Sequence, residues 1–139
     1  METKHIFGNI MIFLIIALFV DFIILCVFSV INEKKFKIIC SLYIEKYDNL
    51  PAITRILKDA HWLTIPVWNY MKQDFFLSPL YSNKKSSHSN NENDIIFVKN
   101  LPPELTKTFL IERVFRRAGI ILFLLLCLTL VVGKYIYHL

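Results

Sequence analysis

Glycine is scarce in this chain: 3 of 139 residues, Gly8, Gly119 and Gly133, lie far apart. A loop that cradles phosphate with backbone N–H groups needs glycines close together, so a nucleotide loop is excluded. Cysteine is equally sparse. Cys26, Cys40 and Cys127 form neither a Cys-x-x-Cys nor a zinc spacing, and no pair sits where an oxidising compartment would make a disulfide expected. There is no Gly-x-Ser-x-Gly and no His-Glu-x-x-His to mark a nucleophile or a metalloprotease helix. His5, His61, His88 and His138 are scattered without a carboxylate or cysteine at fixed spacing. These absences lead us to expect no enzyme, no catalytic site, no cofactor and no bound metal.

Two long apolar runs, 10–31 and 118–132, stand near the ends of the chain. Between them lies a basic middle with 14 of the 16 Lys and Arg residues. The first run has 22 residues, enough to cross roughly 30 Å of hydrocarbon at about 1.5 Å per helical residue. Asp21 interrupts it, at a cost of about 2.5 to 3.5 kcal/mol for a central carboxylate. Seventeen Leu, Ile, Phe and Val residues offset that with at most about 5 to 10 kcal/mol, so insertion wins. The second run follows Arg116 and Arg117. It gains length from Lys134, which snorkels, and from Tyr135 and Tyr137 at headgroup level, to reach about 20 residues. The first run is too long for a signal peptide and has no small-x-small cleavage site, so we expect a retained anchor.

Charge beside the spans sets an expected orientation. Lys34, Lys35, Lys37 and Lys46 follow the first run, and Lys107, Arg113, Arg116 and Arg117 precede the second. Only Lys4 and Lys134 lie at the far ends. Cytoplasmic flanks are the basic ones, so both termini should face the periplasm or exterior and the loop the cytoplasm. Lys34, Lys35, Lys37, Arg113, Arg116 and Arg117 are the expected lipid headgroup contacts. Topology alone explains this charge, and no nucleic-acid-binding module is present, so no nucleic-acid partner is expected.

The fold class expected is mainly α: a two-span transmembrane helical hairpin with a helical, partly disordered cytoplasmic loop. Residues 1–31 form the tail and first span, 32–81 an amphipathic and helical segment, 82–94 a flexible linker, 95–117 a juxtamembrane helix, and 118–139 the second span and tail. Phe36, Ile39, Cys40, Tyr43, Ile44 and Tyr47 recur on one helical face, to lie on the membrane surface or against the rest of the loop. Pro51 opens another helix with a stripe of Ile53, Ile56, Leu57 and Ala60, ending near Thr64 ahead of Pro66. Trp62, Trp68, Tyr70, Phe75 and Phe76 either fill a small core or sit at the bilayer surface. The stretch 82–94 has no aliphatic or aromatic residue with which to offset ordering entropy. Residues 95–98 read as a short strand, and Pro103 with Glu104 as the start of a helix running unbroken into the second span.

Asp21 is the strongest single functional candidate, because an ionisable residue within a span faces a helix, water or a partner instead of lipid. Ala17, Ser29 and Asn32 share its face. Counting outward from each cytoplasmic boundary sets Asp21 level with 127–129, where Thr129 is the strong hydrogen-bonding side chain and no Lys or Arg is near. Asp21 and Thr129 are therefore the expected intramembrane assembly contact, with structural tolerance and proton or ion conduction as the other readings of Asp21.

The order of parts resembles the bacterial universal stress protein B family. The resembling residues are Asp48, Asn49, Leu50 and Pro51 behind the basic helix, and the stretch from Phe109 through Glu112 and Arg113 to Arg117 that enters a terminal span ending in aromatics and His138. This chain has a longer centre than the family pattern. The resemblance implies a small two-span protein of the cell inner membrane associated with stress response, and it transfers no functional residue. The expected role is non-enzymatic, through assembly or lipid contact. The partners expected are the lipid bilayer and either further copies of the chain or a membrane protein. A holin-like pore-forming oligomer and an accessory subunit of a larger membrane complex are the alternatives.

Overall fold

The computed structural model describes residues 2–60, 66–82 and 92–136, and among them the regular structure is entirely helical. Five helices follow in chain order: α1 (Glu2–Tyr47), α2 (Ala52–Leu57), α3 (Pro66–Ser82), α4 (Asn93–Lys99) and α5 (Pro103–Ile136). α1 is a single helix of 46 residues, so the amphipathic stretch after residue 36 continues the first apolar run without a break. With neither proline nor glycine after Gly8, nothing in this sequence interrupts the backbone ladder. It stops at Asp48, whose φ of 65° is the left-handed geometry that ends helices and that Asp tolerates better than most residues. α1 and α5 are both long and apolar enough to cross a membrane.

Pro51 caps α2 in an extended conformation, and its carbonyl accepts from Arg55 N–H at 2.9 Å. The helix is shorter than its apolar stripe suggested: it ends at Leu57, it buries Thr54, and it leaves Ile56 76% exposed. Thr64 and Trp62 lie outside the described residues. Pro66 opens α3, where its missing N–H is harmless. The expected strand at 95–98 is helix α4 instead. Among the described residues no strand offers it a partner, whereas a helix sets Asp94 and Phe97 on one buried face. Asn93 and Asp94 therefore belong to a folded element, and residues 83–91 of the expected linker lie outside the described residues. α5 begins at Pro103 and runs on through the second apolar stretch, as the Pro-Glu start predicted.

The chain divides into two units. Unit 1 comprises Met1–Phe28 with Ile111–Leu139, and unit 2 comprises Ser29–Leu110. Unit 2 has an aromatic core in which Phe36, Phe75, Phe76, Phe97 and Phe109 are buried with Ile39, Cys40, Tyr43 and Leu50. Its rings meet edge to face: Phe76 and Phe109 at 5.0 Å, Tyr43 and Phe75 at 5.0 Å, Tyr43 and Phe97 at 4.9 Å. This arrangement sets the positive edge of one ring against the negative face of another. Phe75 and Phe76 thus fill a core, while Trp68 and Tyr70 stay exposed.

Unit 1 has the opposite surface. Phe13, Ile16, Phe19 and Phe22 of α1 and Ile120, Phe123, Leu124 and Leu128 of α5 are exposed. The buried side chains of its α1 segment include Phe7, Leu14 and Asp21. The segments touch while running in opposite directions, Asp21 beside Gly119 and Phe28 stacked on Phe115 with ring centroids 6.0 Å apart.

Candidate functional site

Asp21 is 8% exposed, with its carboxylate turned onto α5 at Gly119. A β-carbon added at Gly119 would collide with Asp21 Oδ2, so the glycine makes room for the acid. Beside this contact opens a cavity of about 360 Å³ in unit 1. Its walls are Leu18, Asp21, Phe22 and Leu25 from α1, and Arg116, Gly119, Ile120, Phe123 and Leu124 from α5. Among the described residues the Asp21 carboxylate has no hydrogen-bond or ion-pair partner.

This geometry corrects the expected register. Gly119, not the 127–129 layer, lies against Asp21, a shift of about nine residues or about 14 Å along α5. Thr129 is not brought to Asp21: its hydroxyl donates to the Leu125 carbonyl at 2.7 Å, one turn back on its own helix. Arg116, which precedes Gly119 by three residues or about one helical turn, also lines the cavity. Counting from equal boundaries fails because residues 22–28 of α1 run beside residues 111–118 of α5. Phe28 on Phe115 fixes that alignment.

Arg116 Nη2 donates to Glu112 Oε1 at 2.6 Å, an i,i+4 pair with the carboxylate buried and the guanidinium half-exposed. Arg113 is half-buried and Arg117 exposed on the same helix. In unit 2, Lys34 and Lys37 are exposed, whereas Lys35 is held by its own unit, donating from Nζ to the Glu104 carbonyl at 2.5 Å.

Unit 2 contains a polar centre that sequence reasoning missed. Lys72 is 0% exposed. Its Nζ donates to both Glu33 oxygens at 3.0 and 2.9 Å and to the Ala60 carbonyl at 2.9 Å, which uses all three ammonium protons. Its charge also lies 5.0 Å from the Phe36 ring centroid. Thr54 Oγ1 donates to the Lys72 carbonyl at 2.9 Å, tying α2 to α3. Nearby, burial pushes the Cys40 thiol up to about 12, with the Glu33 carboxylate raising it further and Lys72 and Lys58 opposing. A buried thiol held protonated is a packing group and not an accessible nucleophile. Tyr43 is also raised, first by burial and then by donating to Asp94 Oδ1 at 2.9 Å. A lysine among aromatics, with an acid just past an apolar run, was the available signal for the Glu33–Lys72 pair. The separation of 39 positions gave it no local pattern.

Among the described residues, no three His, Cys, Asp or Glu side chains come together in a metal-binding arrangement. His5 is exposed on α1, and His61, His88 and His138 lie outside the described residues. Compared with family models, curated proteins and solved structures, the chain matches none of them.

Proposed function

We propose that this chain is a non-enzymatic membrane protein, a two-span hairpin with both termini outside and the basic segment between the spans in the cytoplasm, that acts through assembly or lipid contact. The observation that carries this reading is the inverted surface of unit 1, where Phe13 is 69% and Phe123 58% exposed while Asp21 is buried. In water such a surface would aggregate; in hydrocarbon it is the favourable arrangement. The basic flanks support the orientation and a bacterial inner membrane. The resemblance to the universal stress protein B family supports a role in stress tolerance.

Asp21 is the contact through which assembly would act, by meeting a basic residue of a membrane partner in an accessory-subunit role or a polar group of a second copy. A holin-like pore needs the Asp21 edge turned to a water-filled lumen, and its seat against Gly119 supports that reading less. The test has two parts. Alkaline carbonate should leave the chain in the membrane, and an impermeant thiol reagent added to intact cells should label Gly8→Cys, a position with open space for the new side chain. Crosslinking in native membranes should then give one defined complex that Asp21→Leu loses. Carbonate release sinks the membrane reading, and a monomer in both chains sinks the assembly reading.

A further inference from the structure

We propose that a groove in unit 2, between α1 and the turn from α4 to α5, binds a small carboxylic acid whose apolar body has the size of one ring or a short chain. The groove holds about 290 Å³ and is walled by Leu42 and Lys46 from α1 and by Phe97, Asn100, Leu101 and Pro102 from the α4–α5 junction. It lies wholly within unit 2, so the inference goes beyond the membrane reading of unit 1 and does not rest on it. Its walls are formed before any ligand arrives. Phe97 is buried, its ring set edge to face with Tyr43 at 4.9 Å and with Tyr47 at 6.2 Å. In the turn, Asn100 N–H donates to the Phe97 carbonyl at 3.1 Å and Leu101 N–H to the Val98 carbonyl at 3.2 Å, and Pro102 and Pro103 fix the two φ angles that follow. A wall already ordered loses little entropy when a ligand settles on it.

The polar groups at the rim select the ligand's charge. Elsewhere in unit 2 the ammonium protons are already engaged: Lys72 gives all three to Glu33 and Ala60, and Lys35 donates to the Glu104 carbonyl. Lys46 lines the groove with no hydrogen bond or ion pair among the described residues, its ammonium 5.4 Å from the Tyr47 ring centroid. Asn100 uses one amide N–H on the Ile96 carbonyl at 2.9 Å, which orients the carboxamide and leaves its second N–H to donate. Among the described residues no Asp or Glu lines the groove. A cation and an amide donor without an acid complement a carboxylate, the ammonium making a charge-assisted hydrogen bond to one oxygen and the carboxamide a neutral one to the other. Leu42, Phe97, Leu101 and Pro102 then cover the apolar body. At roughly 30 Å³ for each water-sized group there is room for about ten non-hydrogen atoms, the size of phenylacetate. A long acyl chain exceeds that volume.

The test is fluorine NMR of 4-fluorophenylacetate titrated into the full chain in nanodiscs, against empty nanodiscs. Line broadening should saturate with a dissociation constant of about 1 to 10 mM, the strength expected of roughly ten seated atoms. Removing the charge on either side should weaken binding at least about tenfold, the loss of one charge-assisted hydrogen bond: 4-fluorophenylacetamide with the parent, and 4-fluorophenylacetate with Lys46→Gln. Lys46→Arg should keep most of the affinity, and Arg55→Gln, at an exposed cation that does not line the groove, should keep all of it. Lys46 is itself exposed, so these variants leave the core around Phe97 in place. Broadening that does not saturate in the parent overturns the site without any variant. Equal affinity for acid and amide overturns it as partition into apolar surface, and equal losses in Lys46→Gln and Arg55→Gln overturn it as general attraction to a basic chain.

Discussion

In unit 2 the most deeply buried side chains include Phe36, Phe75, Phe76 and Phe109, and the buried Lys72 ammonium is enclosed by a carboxylate, a carbonyl and a ring face. In unit 1 the large apolar side chains point outward, and an acid is among the few side chains turned in. On the membrane reading proposed above, both obey the same demand, that apolar side chains avoid water, under two different solvents. The difference teaches where each unit stores its stability. Unit 2 depends on side chains excluded from water, whereas unit 1 depends on the close approach of the Asp21 side chain to α5 at Gly119 and, on the proposed reading, on the lipid outside it. Mutations of the same chemical kind should therefore have unequal effects in the two units.

The sharpest contrast is phenylalanine against phenylalanine. Phe76→Ala removes a fully buried ring that touches Phe36, Phe75 and Phe109 and should cost unit 2 about 3 to 5 kcal/mol. Phe13→Ala, at an exposed position of α1, should stay within about 0.5 kcal/mol. Denaturation of the full chain in mild detergent, followed by proteolysis of the 29–110 region, measures both. Equal losses would break the comparison. Lys72 gives a second large effect: Lys72→Met leaves Glu33 without its cation and should cost about 3 to 5 kcal/mol. Adding Glu33→Leu should recover most of that loss in the same assay, because a pair replaced by apolar groups leaves no unpaired charge. A double variant no better than the single one would mean that the contacts to Ala60 and Phe36 matter more than the ion pair.

In unit 1 the corresponding probe is the seat of the Asp21 side chain against Gly119. Gly119→Ala sets a methyl group onto the Asp21 carboxylate and should cost about 1 to 3 kcal/mol, the range for overpacking a close contact. Gly119→Ala combined with Asp21→Ala removes the obstacle and should restore the parent's thermal midpoint in detergent. Failure of that rescue would place the cost elsewhere than in the α1–α5 contact.

How far these contrasts were readable beforehand depends on sequence distance. The two long apolar helices were legible because hydropathy is a local sum, and the start of α5 because Pro103 and Glu104 are both N-terminal signals. The stripe Phe36, Ile39, Cys40 and Tyr43 was legible as one buried face, though Ile44 is exposed. Residues 95–98 were misread because four apolar residues fit a buried helix turn as well as a strand, and only Asp94 and Phe97 pairing across one turn decides between them. The register of Asp21 was misread for another reason. The apolar run of α1 extends alongside the charged turn around Glu112 and Arg116, so its chemical boundary and its packing partner are offset. A rule that counts from boundaries cannot see an offset set by Gly119, whose relevant property is a missing side chain. Glu33 and Lys72 are separated by a loop and a helix, and no periodicity links them.

Cys40 gives the smallest effect and the most selective test of unit 2's dry interior. Its thiol keeps its proton to about 12 in the folded chain, while an ordinary thiol loses it near 9.0. Between those values the folded state holds a proton that the unfolded state has lost, so the unfolded form gains as pH rises. The contribution of Cys40 to stability is accordingly complete below about pH 9 and declines through the window up to about 12. Cys40→Ala should flatten that part of the pH–stability curve in the detergent-solubilised chain. At pH 8 the Cys40 peptide should also alkylate at least about a thousandfold more slowly in the folded chain than after denaturation, since the thiolate is the reacting form. Rapid alkylation at pH 8 in the folded chain would mean that water reaches the Phe36, Ile39 and Tyr43 face, and the difference between the two units would then be one of composition and not of solvent exclusion.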